Sequence, residues 1–288
     1  MKYSRILSLA LISVIASVAS YAAAIFSEDF SAPLGAAWTA VDSGGPINMN
    51  VANGVATLGP LDSATAVNGE TAYIKRSVSN ATTQYAGYSG SFTCNFTGLS
   101  FVPSATNGNN SITLFKLMPT SGNNKLADLR FEIREWNNDY NFVSANGIQF
   151  SGTGAVIDTK SFSTATLQAL SNVKFAYVIN FVNNGALNWT VSTDWTITDE
   201  NTSTVLTTLK STITANSANS DFNPLTGSNE VFQFGVTSYD QQFNAPQVTG
   251  NLVMDNITVS GIPEPGAYAL ILAGGIAGLV ILFRRRRA

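Results

Sequence analysis

Apolar and polar residues alternate with a period of two along most of the chain between residues 25 and 262. In Leu129–Trp136, Leu129, Phe131 and Ile133 point one way while Arg130, Glu132 and Arg134 point the other. Leu187, Trp189, Val191, Trp195 and Ile197 share one face against Asn188, Thr190, Ser192, Asp194 and Thr196. Ile47, Met49 and Val51 alternate up to Asn53-Gly54, a hairpin turn signal, before Val55 and Leu58. The same period predicts strands near 25–30, 71–78, 84–97, 111–118, 173–182, 203–209, 231–239 and 251–259. Only Thr164 to Leu170 reads as a short helix. More than ten short strands joined by Asn-, Gly- and Ser-rich segments predict an all-β antiparallel two-sheet sandwich, and no linker divides it.

Composition supports strands over helices. Only 11% of residues are charged, and 28 Asn, 30 Ser and 29 Thr take their place, residues that weaken helix interiors. The chain has no histidine, which removes His general bases, His metal ligands and every Ser-His-Asp or Cys-His constellation. Cys94 is the single cysteine, so no intrachain disulfide forms, and its alternation with Phe92 and Phe96 predicts an inert core thiol. Residues 25–262 hold nine bases against seventeen acids, a net charge of −8 that argues against nucleic acid as a partner.

The two ends differ from the body. Lys2 and Arg5, the apolar stretch Ile6 to Val18 and Ala22-Ala23-Ala24 predict a secretory signal peptide over residues 1–24. Ala267 to Phe283 is an unbroken apolar run of 17 residues. As a helix it would be about 25 Å long, close to the thickness of a hydrocarbon core. Arg284, Arg285, Arg286 and Arg287 follow, so positive-inside logic keeps them in the cytoplasm with everything before residue 267 outside.

Pro263, Glu264 and Pro265, the apolar helix and the arginine cluster together resemble the PEP-CTERM sorting signal of bacterial envelope proteins over residues 262–288. That resemblance implies an exosortase partner, transient residence in the cytoplasmic membrane through the C-terminal helix, and an exopolysaccharide-producing bacterium. The segments IFSEDFSAPLGAAW, NVANGVATL and MDNITVSG resemble concanavalin A/laminin G-like jelly rolls, which implies that the first and last strands lie close together within a sandwich over residues 25–261.

The expected function is that of a non-enzymatic surface or extracellular-matrix protein whose body binds exopolysaccharide or other matrix components. Trp136 shares its face with Arg134 and Glu132, and an aromatic ring beside hydrogen-bonding groups suits a sugar. Tyr239, Tyr73 and Tyr85 also fall on polar faces, whereas Trp189 and Trp195 fall on a core face. The segment FEIREW invites comparison with glycosidases on this fold, which carry a Glu-x-Asp-x-x-Glu strand. Here the middle Asp is missing, and Glu132 and Glu135 fall on opposite faces of a regular strand, so the expectation is a solvated charged face and no catalytic residue. A glycan-active hydrolase or lyase and a self-assembling structural protein are the alternatives. Glu28 and Asp255 alternate into apolar faces. If the end strands adjoin, the two could share a structural Ca²⁺; a bulge turning them outward, or main-chain hydrogen bonding, is the competing reading. No cofactor is otherwise required.

Overall fold

A computed structural model describes residues 23–43, 48–61, 71–79, 85–101, 111–119, 129–136, 139–146, 158–185, 188–216, 229–239 and 248–263. Nearly all of them lie in sixteen antiparallel strands, numbered in chain order. One sheet, here sheet A, runs β14 (Thr204–Asn216), β13 (Asn188–Asp199), β12 (Val173–Gly185), β6 (Tyr85–Asn95), β16 (Val248–Pro263), β4 (Val55–Leu61) and β3 (Asn48–Ala52). Two short strands, β1 (Ala23–Glu28) and β7 (Leu99–Phe101), also pair with β16. Sheet B runs β11 (Asp158–Phe162), β10 (Asp139–Asn146), β9 (Leu129–Trp136), β8 (Ser111–Pro119), β15 (Asn229–Tyr239), β5 (Thr71–Ser79) and β2 (Thr39–Ser43). The two sheets form a β-sandwich, as the alternation predicts. The end strands adjoin: Phe26 of β1 stands opposite Val259 of β16.

The core is aromatic and joins the sheets. Phe131 of β9 and Phe115 of β8 meet Trp195 of β13 with ring centroids 4.7 and 5.3 Å apart, and Phe92 stacks on Phe175 at 5.1 Å. Such pairs add about 0.5–1.5 kcal/mol beyond the area they bury. Arg76 caps the edge of this core, its guanidinium 4.7 Å from the Phe26 ring and 5.6 Å from that of Trp38. Cys94 is buried there too, and burial pushes its thiol well above the ordinary value, which keeps it unreactive. The expected helix is α1 (Thr164–Gln168), capped by the Ser163 hydroxyl, which accepts from the Thr166 N–H at 3.2 Å, and anchored by buried Leu167 and Leu170. Asn53 and Gly54, at φ 56° and 79°, turn the hairpin from β3 to β4.

Three irregularities shift the phase of the alternation. In β16, Leu252 and Met254 are buried before the break, and Ile257 and Val259 after it. The intervening bulge has Asn256 at φ 52°. In β6, the register slips opposite Ile262 and Pro263, which brings Tyr85 onto the core side, its ring 5.7 Å from that of Tyr88. The polar face expected for Tyr85 is therefore corrected. In β8, Leu114 is the extra residue, so Leu114 and Phe115 are buried in succession.

The predicted signal sequence lies outside the described residues up to position 22, and β1 starts at Ala23. Glu264, Pro265, the apolar run Ala267 to Phe283 and the four arginines also lie outside them. Pro263 alone of the tripeptide is described, as the last residue of β16. Among the described residues no helix is long and apolar enough to cross a membrane.

Candidate functional site

Sheet B has a core face and a face turned away from the core, and strand register assigns residues to each. Phe131, Ile133, Phe115, Leu117, Phe232 and Phe234 enter the core. The alternating positions beside them form the outward face. One cross-strand row on that face reads Lys75 (β5), Gln233 (β15), Lys116 (β8) and Arg130 (β9). The next reads Thr237, Thr113, Glu132 and Val143, and a third reads Tyr239, Ser111, Arg134 and Asn141. Trp136 stands two positions beyond Arg134 on the same strand, at the hairpin that turns into β10 at Asp139.

This face is not a solvated surface. Glu132 is 1% exposed, Thr113 4% and Gln233 5%, although none of them points into the core. The solvated charged face expected around Glu132 is thereby corrected: alternation reported which way the side chain points, and it points into a place closed to bulk water. Polar side chains persist in such places when they are hydrogen-bonded or paired. Lys75, Lys116 and Tyr73 line the same face half-buried, and burial raises the Tyr73 hydroxyl above its ordinary value.

By strand register the positions of the four residues singled out for ligand contact fall on one face, and of their side chains only that of Glu132 is among those described. Arg134 and Tyr239 are in the same row with β8 between them, about 10 Å apart at ordinary strand spacing. Glu132 stands two residues from Arg134 on β9, and Trp136 two residues further. The continuous register of β9 with β10 also places positions 132 and 135 on opposite faces of the strand. Sequence reasoning missed Lys75, Lys116, Gln233 and Thr113. The signal was present in the unbroken apolar neighbours of Gln233 in NEVFQFGV, which mark a strand covered on both sides.

Glu28 and Asp255 lie elsewhere, where β1 meets β16. Glu28 closes a turn, its Oε1 accepting from the Phe30 N–H at 3.0 Å. Asp255 sits in the β16 bulge, sharing neither the face of Ile257 nor that of Met254, which is the bulge reading and not the place on an apolar face that strict alternation gives. Its carboxylate accepts from the Asn256 main-chain N–H at 2.6 Å and from Asn256 Nδ2 at 2.7 Å. Partial burial raises the Asp255 carboxyl, the Asn256 N–H opposes that shift, and the charge of nearby Asp29 adds to it. Among the described residues no group of three or more His, Cys, Asp or Glu side chains is placed to hold a metal ion.

No protein-family model matches the chain, and no curated protein is similar to it. The chain is similar to several solved structures at low identity. The CBM2 module of the evolved Dit of Lactobacillus casei phage J-1 is 10% identical with a TM-score of 0.47, covering 84% of this chain and 96% of its own. The PL-14 alginate lyase of Aplysia kurodai is 10% identical with a TM-score of 0.46, covering 83% of this chain and all of its own. The binding domain of botulinum neurotoxin serotype D is 14% identical with a TM-score of 0.37, covering 87% of this chain and 51% of its own.

Proposed function

We propose that the chain is an exported bacterial envelope protein whose sandwich, a jelly roll by our reading, binds saccharide on the outward face of sheet B. The observation that carries the proposal is the half-buried set Tyr73, Lys75 and Lys116, an aromatic ring and two polar side chains at outward positions of β5 and β8. A strand face built only for solubility keeps its polar groups in water. A binding face holds hydrogen-bonding groups fixed and partly desolvated beside an aromatic ring such as that of Tyr73. The tail from Pro263 to Arg287 supplies sorting by an exosortase, with passage through the cytoplasmic membrane and delivery to the cell surface or extracellular matrix. The body acts there by binding, without catalysis.

Two experiments test these parts separately. Full-length protein in detergent, mixed with insoluble polysaccharides that include the host's own matrix, is expected to co-sediment without releasing reducing or unsaturated chain ends. Release of such ends would make the protein a glycan-active enzyme, and failure to sediment with every polysaccharide would sink the binding role. For sorting, alanines at Pro263, Glu264 and Pro265 are expected to leave the tail unprocessed in the host; unchanged processing would remove the exosortase from the account.

A further inference from the structure

The hairpin joining β13 to β14, the last two strands at one edge of sheet A, carries a feature that the saccharide face does not use. Its turn reads Asp199-Glu200-Asn201-Thr202-Ser203, with Ser203 at φ 55°. Asn201-Thr202-Ser203 is an Asn-x-Ser/Thr triplet, the acceptor pattern for N-linked glycans. Six such triplets begin at Asn80, Asn95, Asn109, Asn188, Asn201 and Asn256, and a chain so rich in Asn, Ser and Thr accounts for most of them by composition. Asn201 alone has an acid two residues before it, Asp199. A carboxylate there offers a charge-assisted contact to a basic group of a transferase, a second point of recognition that the bare triplet lacks.

Burial separates the same triplet from the others that the structure describes. Asn95 lies between Cys94 and Phe96, both in the core, and its Oδ1 accepts from the N–H and the hydroxyl of Thr97. In the triplet at Asn256, Ile257 is buried in the core and the Thr258 hydroxyl pairs with that of Ser91 on the neighbouring strand. At the β13–β14 turn every residue from 200 to 205 is exposed. Asn201 Nδ2 donates to Ser171 Oγ at 2.7 Å, and a substituent replaces one of its two hydrogens, so the other can keep this bond. The Asp199 carboxylate closes the turn, accepting from the Asn201 N–H and from Thr202 Oγ1, each at 3.0 Å. It is engaged in the closed hairpin, so transfer belongs to the chain as it crosses the membrane, before β14 pairs with β13.

We propose that Asn201 is an N-glycosylation site recognised through Asp199 and Ser203, an inference that rests on export as read above and not on the saccharide face. Nδ2 attacks the anomeric carbon of an oligosaccharide carried on a polyprenyl diphosphate. The C–N bond forms as the bond from that carbon to the phosphate oxygen breaks. The displaced amide proton passes to a base of the transferase, and the polyprenyl diphosphate leaves. The glycan then stands at the start of β14, where it blunts an outermost strand against pairing with other chains.

The test is mass spectrometry of the full chain, made with its own signal sequence in its bacterial host. Trypsin leaves Asn188 and Asn201 together on the peptide 175–210. That peptide is expected to carry a glycan mass that is absent in Asn201→Gln, unchanged in Asn188→Gln, and about tenfold less abundant in Asp199→Asn, which lacks the charge-assisted contact. An unmodified peptide from protein that has lost its signal sequence would overturn the site and leave export intact. An unmodified peptide from protein that keeps its signal sequence would overturn both. A glycan that persists in Asn201→Gln would overturn the assignment to this residue, and full occupancy in Asp199→Asn would overturn the part given to Asp199.

Discussion

The outward faces of the two sheets carry the same apolar-polar alternation and end in opposite environments. On sheet A, Ser89, Ser91 and Thr93 of β6 continue through Ala176 and Val178 of β12 into Asp194 and Thr196 of β13 and Thr208 and Lys210 of β14. These positions stay in contact with water, and even apolar residues among them are open, Val178 at 38% and Val182 at 53% exposure. On sheet B the equivalent positions of β8, β9 and β15 include Thr113, Glu132 and Gln233, which are closed to solvent. The difference teaches that a period of two reports the direction of a side chain and leaves its solvation undetermined. A hydroxyl on sheet A finds water at no cost, whereas a carboxylate on sheet B depends on the protein for its partners.

Substitution at matched positions gives the largest expected contrast. Glu132→Ala and Gln233→Ala should each destabilise the protein by about 1–3 kcal/mol, because they empty a desolvated polar site. Asp194→Ala and Thr196→Ala on sheet A should stay within about 0.5 kcal/mol, as exposed positions do. Urea unfolding of the four variants measures this, and equal losses on both sheets would erase the distinction between the faces.

The core between the sheets sharpens the point with a change of sign. The Tyr177 hydroxyl is buried above Gly90 with no hydrogen-bond partner among the described residues, and burial raises it well above the ordinary tyrosine value. Tyr177→Phe removes a polar group that nothing compensates and should stabilise the protein by about 1 kcal/mol. Thermal melts in parallel with Glu132→Ala show whether loss of a buried polar atom helps in the core and hurts on the outward face; a loss of stability in Tyr177→Phe would mean that the hydroxyl is paired.

The smallest expected effect lies at the seam of β1 and β16. The Asp255 carboxyl is raised from 3.8 by burial, so its ionisation is harder in the folded protein than in the unfolded chain. Its protonated form therefore favours folding, and that advantage is fully present below the unfolded value and lost as pH rises through the folded one. Asp255→Asn should be slightly more stable than the parent at pH 7, with the two converging below about pH 3.5. A gain that persists at low pH, or a loss at pH 7, would show that the Asn256 contacts outweigh burial.

Much of the fold is legible in the sequence because the amphipathic strands are regular. The alternation in Leu129–Trp136 and Val173–Gly185 gives their core faces directly, and the Asn53-Gly54 turn fixes a hairpin register. Strands Thr39–Ser43, Leu99–Phe101, Asp139–Asn146 and Asp158–Phe162 escape such reading, being short or rich in polar residues. Asp255 and Tyr85 are misplaced by a pattern that assumes no bulge, since one extra residue reverses every later assignment on the strand. The grouping of Trp136, Arg134, Glu132 and Tyr239 on one face follows from β8 lying between β9 and β15, a pairing across more than a hundred residues that local periodicity does not encode. Lys116 and Gln233 join them only when the order of strands is known.

The central claim is that sheet B, and not sheet A, presents the ligand face. Hydrogen–deuterium exchange of the full-length protein with and without soluble fragments of a polysaccharide that it co-sediments with tests it most directly. The account predicts that added ligand slows exchange in Ser111–Pro119, Leu129–Trp136 and Asn229–Tyr239 while Asn188–Asp199 and Thr204–Asn216 are unchanged. Protection confined to the latter two strands, or no protection anywhere, would contradict it.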